Sequence, residues 1–366
     1  MSPDLFYQIA LRQTPSIGNT LSRHLYNHFG SAKAVFEAAL EDLVQVQSIG
    51  AQAAKKILAQ SSFPIAEKEL QFIQKNNIQT FLFNDPKYPK RLQFLEDAPF
   101  LLYFKGNAPL DHPKIISVIG TRHPTERGQT YCDKLVEDLK IYNPLIMSGL
   151  AYGIDIAAHK KSLALGIPTV GVVAHGLDRI YPHTHAQIAE QMLENGGILT
   201  EFISETEPAR EHFPMRNRII AGAADAVVVV ETARSGGSII TAELANTYQK
   251  DVFAIPGRLE DEYSQGCNWL IKTHKASLIE QAEDIAYILR WEKSNQPVPA
   301  QKQLFVELSE EERRIMDKFL AASEPLHLDF LMKTTAISTS RLAALLLELE
   351  FKGMLKPLPG KFFRKI

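Results

Sequence analysis

The stretch KIISVIG at residues 114–120 is the first of a series of short apolar runs that decides the fold. Five similar runs follow it: PLIMSG (144–149), PTVGVVA (168–174), GGILTEF (196–202), DAVVVVE (225–231) and DVFAIPG (251–257). Segments of ordinary helical length separate the runs. Continuous apolar strands that alternate with helices are typical of a parallel sheet covered on both faces. The sequence therefore predicts an α/β fold with a parallel sheet at its centre.

A small helical module precedes this sheet at residues 1–62. It contains two similar loops, PSIG at 15–18 and QSIG at 47–50, and a helical run follows each of them. This weak repeat predicts a helix-hairpin-helix or SAM-like module, in which glycine lets a phosphate approach the start of the next helix. A module that only packs on the core or on a partner explains the same pattern, and we favour that simpler interpretation slightly.

The C-terminal part of the chain predicts a linker and one further domain. Residues 293–307 contain proline and glutamine and are expected to form the linker. Ser309 with Glu312 forms a capping-box pattern ahead of an apolar helix, and two more helices and a short hairpin complete the region 308–366. We therefore predict a winged-helix-like domain there and assign the Rossmann-like core to residues 63–292.

Composition limits the classes of function. The chain has 366 residues, a formal net charge of −2 and 45% apolar residues, so any site for a polyanion must be local rather than a global basic field. The two cysteines match neither a metal-ligand spacing nor a disulfide framework. No secretory signal pattern and no apolar stretch of membrane-spanning length is apparent. We expect a cytoplasmic protein without a metal or a cofactor.

Small, hydroxyl and cationic residues recur where the predicted strands end. Ligands of open parallel sheets bind at the carboxyl ends of the strands, so these residues are expected to share one edge. Glycine exposes backbone N–H groups, and arginine offers a fork that matches phosphate oxygens. The residues concerned are Gly120, Arg122, Ser148, Gly149, Arg210, Ser235, Gly236 and Gly237. Their combination predicts an anion site, most simply for phosphate.

The segment FPMRNR at 213–218 adds an aromatic ring to these cations. Residues two apart do not share a helix face, so one of Arg216 and Arg218 can face the groove while the core or an acidic neighbour holds the other. A stacking ring beside phosphate-neutralising cations suits a single-stranded nucleic acid. An ordinary helix start at Pro214 is compatible with this interpretation.

Catalytic patterns are weak by comparison. No G-x-G-x-x-G motif and no Walker A lysine loop follows a predicted strand, so neither a dinucleotide nor ATP hydrolysis is indicated. Asp155 and Glu201 stand at strand ends as acid–base candidates, although capping or orienting an arginine is the simpler role for each. A nucleotide-phosphate hydrolase that uses Glu201, Glu231 or Glu243 remains the alternative function.

Eight ordered motifs between about residues 88 and 271 resemble the DNA-processing protein A family, also called DprA or Smf. They are YPKRLQFLEDAPFLLYFKGN, SVIGTR, SGLAYGIDIAAH, GVVAHGLDRIYP, EFISETEPAREHFPMRNRIIAG, VVVVETARSGGSIITAELA, DVFAIPG and SQGCNWLI. The resemblance implies a protein without catalytic activity that binds single-stranded DNA during natural transformation, protects it and loads the RecA recombinase onto it. It also implies a homodimer formed through the Rossmann-like domain.

The resemblance assigns DNA-contacting roles residue by residue. Arg122 corresponds to the DNA-contacting arginine, Arg210 stands where the family usually has lysine, and Phe213 is expected to stack on a base. The glycine and serine positions named above would offer backbone or hydroxyl contacts to phosphate. The other candidate DNA-binding residues are Arg216, Asn217 and Arg218.

Two departures from the family pattern and one further alternative complete the expectations. Tyr152 replaces an arginine that is common in the family, which removes a cation and adds a ring, and Lys275 replaces a glycine in an edge loop. The third helix of the C-terminal domain begins at Ser338–Arg341 but continues into Glu348 and Glu350. These residues offer little for recognition of bases in the major groove by a transcription factor. A role in protein–protein contacts is therefore at least as well supported for this domain.

Overall fold

The structure is a computed structural model that describes residues 4–294, 308–321, 325–335, 337–352, 354–358 and 361–365. The chain divides into two compact units, Met1–Asn295 and Gln296–Ile366. The predicted linker lies outside the described residues except for its first two positions. Whether residues 1–62 fold as an independent domain stays a prediction, since the first unit holds both these residues and the parallel sheet.

The helices of the first unit are α1 (Leu5–Gln13), α2 (Asn19–Phe29), α3 (Ala32–Glu37), α4 (Leu40–Leu43), α5 (Ala51–Leu58), α6 (Phe63–Lys75), α7 (Lys90–Gln93), α8 (Glu126–Leu139), α9 (Ile154–Leu165), α10 (Ala186–Met192), α11 (His212–Gly222), α12 (Gly237–Thr247), α13 (Gln265–Lys272) and α14 (Ala282–Leu289). Its strands are β1 (Gln79–Leu82), β2 (Leu101–Gly106), β3 (Ile115–Ile119), β4 (Leu145–Ser148), β5 (Thr169–Val172), β6 (Gly196–Thr200), β7 (Ala226–Val229), β8 (Asp251–Ala254) and β9 (Ser277–Leu278).

The nine strands form one sheet in the order β1-β2-β6-β5-β4-β3-β7-β8-β9. All pairings from β6 to β9 are parallel, whereas β2 runs antiparallel to both β1 and β6. Each of the six predicted runs contains a strand, so the prediction of a Rossmann-like parallel core is confirmed. Strands β1, β2 and β9 are additions to that prediction. The first two come from residues 63–110, where no apolar run of the predicted series occurs.

Helices cover both faces of the sheet, which explains the continuous apolar runs. Along β3, Ile115 and Ile119 belong to the core cluster on one face, while Ile116 and Val118 belong to the cluster on the other. All four side chains are buried. A strand with both faces covered has no position for an alternating polar residue, and this distinguishes it from a half-exposed strand.

The two similar N-terminal loops have the same backbone geometry. Ser16 and Ser48 both have positive φ, +73° and +67°. The glycines two residues later, Gly18 and Gly50, begin the helices α2 and α5 with an extended backbone. The repeat seen in the sequence is therefore a repeat of structure.

This helical module packs on the antiparallel end of the sheet. Ile9 of α1 and Leu25 of α2 share one buried cluster with Phe100, Leu101 and Tyr103 at and before the start of β2. Burial of these large side chains is the main source of stability at this junction, because burying one such side chain contributes about 1.5–3 kcal/mol.

A buried ion pair reinforces the same junction. Arg218 of α11 donates from Nη2 to both carboxylate oxygens of Glu201, each at 2.5 Å, and from Nη1 to the carbonyl of Asp97. Glu201 also accepts from the amide of Asn19 at 2.8 Å, and the Oδ1 atom of Asn19 accepts from the backbone N–H of Phe100 at 2.9 Å. This network connects α2, α11 and the segments before β2 and after β6. Glu201 therefore orients an arginine, the simpler of the two roles expected from the sequence.

The second unit has the expected winged-helix elements. They are α15 (Glu310–Ala321), β10 (Leu326–His327), α16 (Leu328–Thr335), α17 (Thr339–Phe351), β11 (Leu355–Leu358) and β12 (Phe362–Lys365), with the strand order β10-β12-β11. The predicted capping box is confirmed, because Ser309 N donates to Glu312 and Glu312 N donates to Ser309 Oγ. The core of the unit includes Leu342, Leu345, Leu346 and Leu349, all buried along α17.

Replacement of one partner of the buried ion pair is expected to destabilise the first unit. Glu201→Gln leaves Arg218 buried without a counter-charge, and loss of one partner of such a pair costs about 3–5 kcal/mol. Urea unfolding followed by tryptophan fluorescence measures this unit alone, since both tryptophans, Trp269 and Trp291, lie in it. The double variant Glu201→Gln/Arg218→Met should recover part of the loss. Unchanged stability of the single variant would show that the pair contributes little.

Candidate nucleic-acid interface

A groove lies at the carboxyl ends of the central strands β3 and β7. These two strands are neighbours although they are far apart in sequence, so the chain leaves them in opposite directions along the sheet. Ligands of open α/β sheets bind at such a switch point. We call this feature the central groove. It has a volume of about 480 Å³ and is bordered by the loops after β3, β4 and β7, together with α11 and the start of α12.

Most of the site residues predicted from the sequence meet in the central groove. Those that border it are Gly120, Arg122, Arg210, Phe213, Arg216, Asn217, Gly236 and Gly237. They come from three separate segments of the sequence, and the topology of the sheet brings them together. Tyr263, which stands in none of the quoted motifs, also borders it, as do Thr121 and Ile240, which were not predicted as site residues.

The side chains of Arg122 and Phe213 lie next to each other in the wall of the groove. The guanidinium carbon of Arg122 lies 5.3 Å from the centroid of the Phe213 ring. Arg122 is exposed and Phe213 is half-buried. Within the described part of the chain, neither Arg122 nor Arg210, which is also exposed, forms an ion pair with a carboxylate. The groove therefore presents two uncompensated positive charges beside an aromatic face.

Arg216 forms part of the floor of the groove. Its side chain is only 4% exposed, and its Nη1 atom donates to the carbonyls of Gly149 and Val172, just after β4 and at the end of β5. Its Nε atom donates to Asn217 Oδ1 at 3.1 Å. Burial lowers the pKa of Arg216 to about 10, and Asp155 opposes that shift. The residue remains charged at neutral pH beneath the exposed cations.

Asp155 balances Arg216 rather than standing free as a catalytic acid. It is buried and accepts a hydrogen bond from the backbone N–H of Gly149 at 3.2 Å. Burial raises its pKa, while the nearby positive charge of Arg216 lowers it. Of the roles that the sequence allows for Asp155, orientation of a cation is the one that fits this geometry.

The start of helix α12 contributes backbone donors. Gly236 is its N-cap in an extended conformation, no side chain caps the helix, and Gly236, Gly237 and Ser238 all border the groove. The first N–H groups of an α-helix have no intrahelical acceptor, and the helix dipole places partial positive charge at this end. An anion that contacts the turn before α12 would meet these donors.

Four predicted site residues lie outside the groove. Ser148 is fully buried and its hydroxyl donates to the carbonyl of Val118 at 2.6 Å. The N–H of Gly149 is already bound to Asp155, and Arg218 is held by Glu201. Ser235 is exposed on the turn but does not border the groove. Ser148, Gly149 and Arg218 thus form hydrogen bonds within the protein and do not border the central groove.

Gly153 is required for the position of Arg122. Its φ is +80°, and a Cβ atom there would overlap the carbonyl oxygen of Thr121 and lie 2.8 Å from the Cα atom of Arg122. The loop after β4 and the loop after β3 therefore touch backbone to backbone. A side chain at residue 153 would therefore force the backbone of Thr121 and Arg122 to move.

Two tyrosines extend the aromatic surface beside Phe213. Tyr181 is half exposed, with its ring 6.4 Å from that of Phe213, and Tyr152, also exposed, packs edge-on against His185 at 5.0 Å. A small cleft lined by both tyrosines adjoins the central groove. Tyr152 thus supplies a ring at the position where the family pattern has arginine.

Several histidines and both cysteines in the described part of the chain are buried. His159 is buried with its Nδ1 atom 2.7 Å from Thr169 Oγ1, and burial lowers its pKa to about 3. Cys132 and Cys267 are buried, unpaired thiols. The described ranges contain no group of three or more potential metal-ligating side chains. None of the helices that the structure describes is both long enough and apolar enough to cross a bilayer.

Two family models match this chain. That of the DNA recombination-mediator protein A family matches residues 79–290, and that of the DprA winged helix domain matches residues 298–361. The first match alone covers more than half of the chain. The second agrees with the winged-helix elements of the C-terminal unit.

Individual relatives give the same result. Protein Smf of Synechocystis is 31% identical over 395 aligned positions, which span 98% of each chain. The X-ray structure of DNA processing protein A from Streptococcus pneumoniae superposes with a TM-score of 0.69 at 32% identity and covers 79% of this chain and 99% of its own. A structure of DNA processing protein A from Helicobacter pylori, described for its single-stranded DNA binding mode, has a TM-score of 0.54 at 31% identity and covers 59% and 97%. The chain belongs to the DNA recombination-mediator protein A family, the DprA/Smf proteins.

Proposed function

We propose that the central groove binds single-stranded DNA and that the chain acts by binding rather than by catalysis. The observation that carries this proposal is the contact of Phe213 with Arg122 in a groove that Arg210 and the uncapped start of α12 also border, since neither arginine has a carboxylate partner among the described residues. Arginines and backbone donors neutralise phosphates, and the ring stacks on a base.

Single-stranded rather than duplex DNA is favoured because the ring lies in a groove. A base can reach Phe213 only when it is not stacked in a duplex, and stacking does not depend on base identity. The formal net charge of −2 argues that attraction is local. The relative from Helicobacter pylori, whose structure is described for its single-stranded DNA binding, supports the same choice.

The alternative of a nucleotide-phosphate hydrolase lacks a free glutamate in the groove. Glu201 is paired with Arg218, Glu231 accepts from Thr125 N and Oγ1, and Glu243 is paired with Lys275 at 2.7 Å. None of the three glutamates borders the groove. Incubation with nucleoside monophosphates and assay for free base separates the two functions, and turnover would favour the hydrolase.

The wider role follows from the family. We propose that the protein protects single strands that enter the cytoplasm during natural transformation and loads the RecA recombinase onto them. Membership of a recombination-mediator family supports this role. Nucleation of RecA on single strands, measured with and without the protein, tests it. Absence of any stimulation would restrict the function to DNA binding.

The winged-helix domain is proposed as a module for protein contacts. Arg341, at the start of the helix that would read a major groove, is paired with Glu311 through hydrogen bonds of 2.7 and 2.9 Å. Glu348 and Glu350 follow on the same helix. A recognition helix with its cation engaged and with carboxylates further along is poorly suited to base edges and phosphates.

A homodimer through the Rossmann-like domain is proposed from the open end of the sheet. β9 is the edge strand, Leu278 on it is 49% exposed, and Tyr287 of α14 is 86% exposed. Unpaired edge strands with apolar side chains are surfaces for pairing with another chain.

Leu278→Asp is expected to shift the protein from dimer to monomer in light scattering after size exclusion. The matched variant Phe94→Asp, at a side chain that is 87% exposed elsewhere, should leave the mass unchanged.

Arg122→Ala is expected to weaken single-strand binding and to reduce its salt dependence. Loss of one phosphate contact should lower the slope of log affinity against log salt by about 0.7. Fluorescence anisotropy with a labelled strand at several salt concentrations measures both quantities. Lys160→Ala, at an exposed cation that does not border the groove, serves as the control. Equal affinity and slope for Arg122→Ala and wild type would remove Arg122 from the interface.

Phe213→Ala and Phe213→Leu are expected to weaken binding by similar amounts, about 1–3 kcal/mol, because neither side chain stacks on a base. Leucine preserves most of the apolar packing, so its thermal stability should stay near that of wild type. Anisotropy and thermal unfolding of both variants test this. Normal affinity of the leucine variant would assign the ring to the core instead.

A further inference from the structure

A second cleft lies beside the central groove, at helix α13. It has a volume of about 470 Å³ and is bordered by Trp269, Arg234 and Lys272, with Asn268 and the exposed Leu259 alongside. No carboxylate is among the described residues that border it. We call it the Trp269 cleft. The central groove does not account for its tryptophan, which stands in the motif SQGCNWLI.

The ring of Trp269 is surrounded by positive charge. The guanidinium carbon of Arg234 and the ammonium nitrogen of Lys275 each lie 4.5 Å from the ring centroid. Lys275 is also paired with Glu243, but Arg234 and Lys272 form no ion pair with a residue that the structure describes. Arg234 and Lys272 are exposed and Trp269 is half-buried. The cleft thus resembles the central groove in composition, because its ring lies beside Arg234, an exposed cation without a carboxylate partner among the described residues, and Lys272 borders the same cleft.

The cleft and the groove share one wall. Thr232, Ala233 and Gly236 border the groove, whereas Arg234, within the same turn, borders the cleft. Two backbone hydrogen bonds connect this turn to the start of α13. Thr232 N donates to the carbonyl of Tyr263 at 2.6 Å, and Gly266 N donates to the carbonyl of Thr232 at 2.9 Å. These hydrogen bonds fix the position of the cleft relative to the groove.

We propose that the Trp269 cleft binds the continuation of the DNA strand that occupies the central groove. This inference rests on the proposed function of the groove. A strand that leaves the groove across the turn before α12 meets Arg234 first, which can exchange its contact with the indole for a phosphate. Tryptophan then provides a stacking surface for a base, and Lys272 neutralises a further phosphate. The occupant is a single strand, because its bases must be free to stack.

DNA strands of different lengths distinguish binding at the central groove from binding at the Trp269 cleft. Anisotropy with oligonucleotides of about 6 and about 20 nucleotides compares a strand that fills the groove with one that can reach the cleft. Trp269→Ala is expected to bind the short strand as wild type does and the long strand at least about fivefold more weakly, the loss of one stacked base. Trp269→Phe retains a ring and should recover much of the affinity. Phe94→Ala, at an exposed aromatic residue that borders neither site, is the matched control.

Intrinsic fluorescence provides a readout that needs no change at Trp269. The chain has two tryptophans, so Trp291→Phe leaves Trp269 as the sole tryptophan, and its emission is followed with excitation at a wavelength that tyrosine does not absorb. The long strand should quench its emission and the short strand should not. If no strand binds at any length, both the proposed function and this inference fail. If the long strand binds normally to Trp269→Ala and leaves the emission of Trp269 unchanged, only the cleft is excluded and the groove remains.

Discussion

The site depends on one buried cation, Arg216. A guanidinium is tolerated in the interior only when its donors are satisfied and its charge is balanced. Here carbonyls near the ends of β4 and β5 accept from it, and Asp155 balances its charge. The requirement connects α11 to two strand ends, and α11 also carries Phe213 one turn earlier. The floor of the groove, the orientation of its helix and the position of its aromatic ring therefore follow from a single set of hydrogen bonds.

The sheet and the groove could be predicted from the sequence for the same physical reason. Strands buried on both faces leave continuous apolar runs, as Ile115–Ile119 shows, and parallel connection brings all their carboxyl ends to one edge. The glycine and arginine residues that follow those runs were therefore expected at this edge of the sheet. The sequence did not predict β1 and β2. These strands lie antiparallel at one end of the sheet, where pairing with β6 and packing against the helical module stabilise them.

Individual roles were harder to predict than the location of the site. Arg216 and Arg218 are two residues apart, and the sequence required only that they face different directions. Arg218 pairs with Glu201, which approaches α11 from the end of β6, whereas Asp155 balances Arg216. Ser148 looks like a phosphate ligand in the sequence, yet it is the last residue of a buried strand and its hydroxyl bonds within the sheet. Partners distant in sequence decide such roles, and a local motif does not contain them.

The helical module shares its apolar core with the start of β2, where Phe100 and Tyr103 are almost completely buried. A fragment trimmed to residues 63–292 would keep β2 but lose α1–α5, which share this cluster with the two rings, and would expose an apolar patch there. Such a patch invites self-association, which would enter any measurement of oligomeric state or of DNA retention as an artefact. Residues 1–62 shield this apolar surface, so oligomeric state and DNA retention are best measured with the whole first unit.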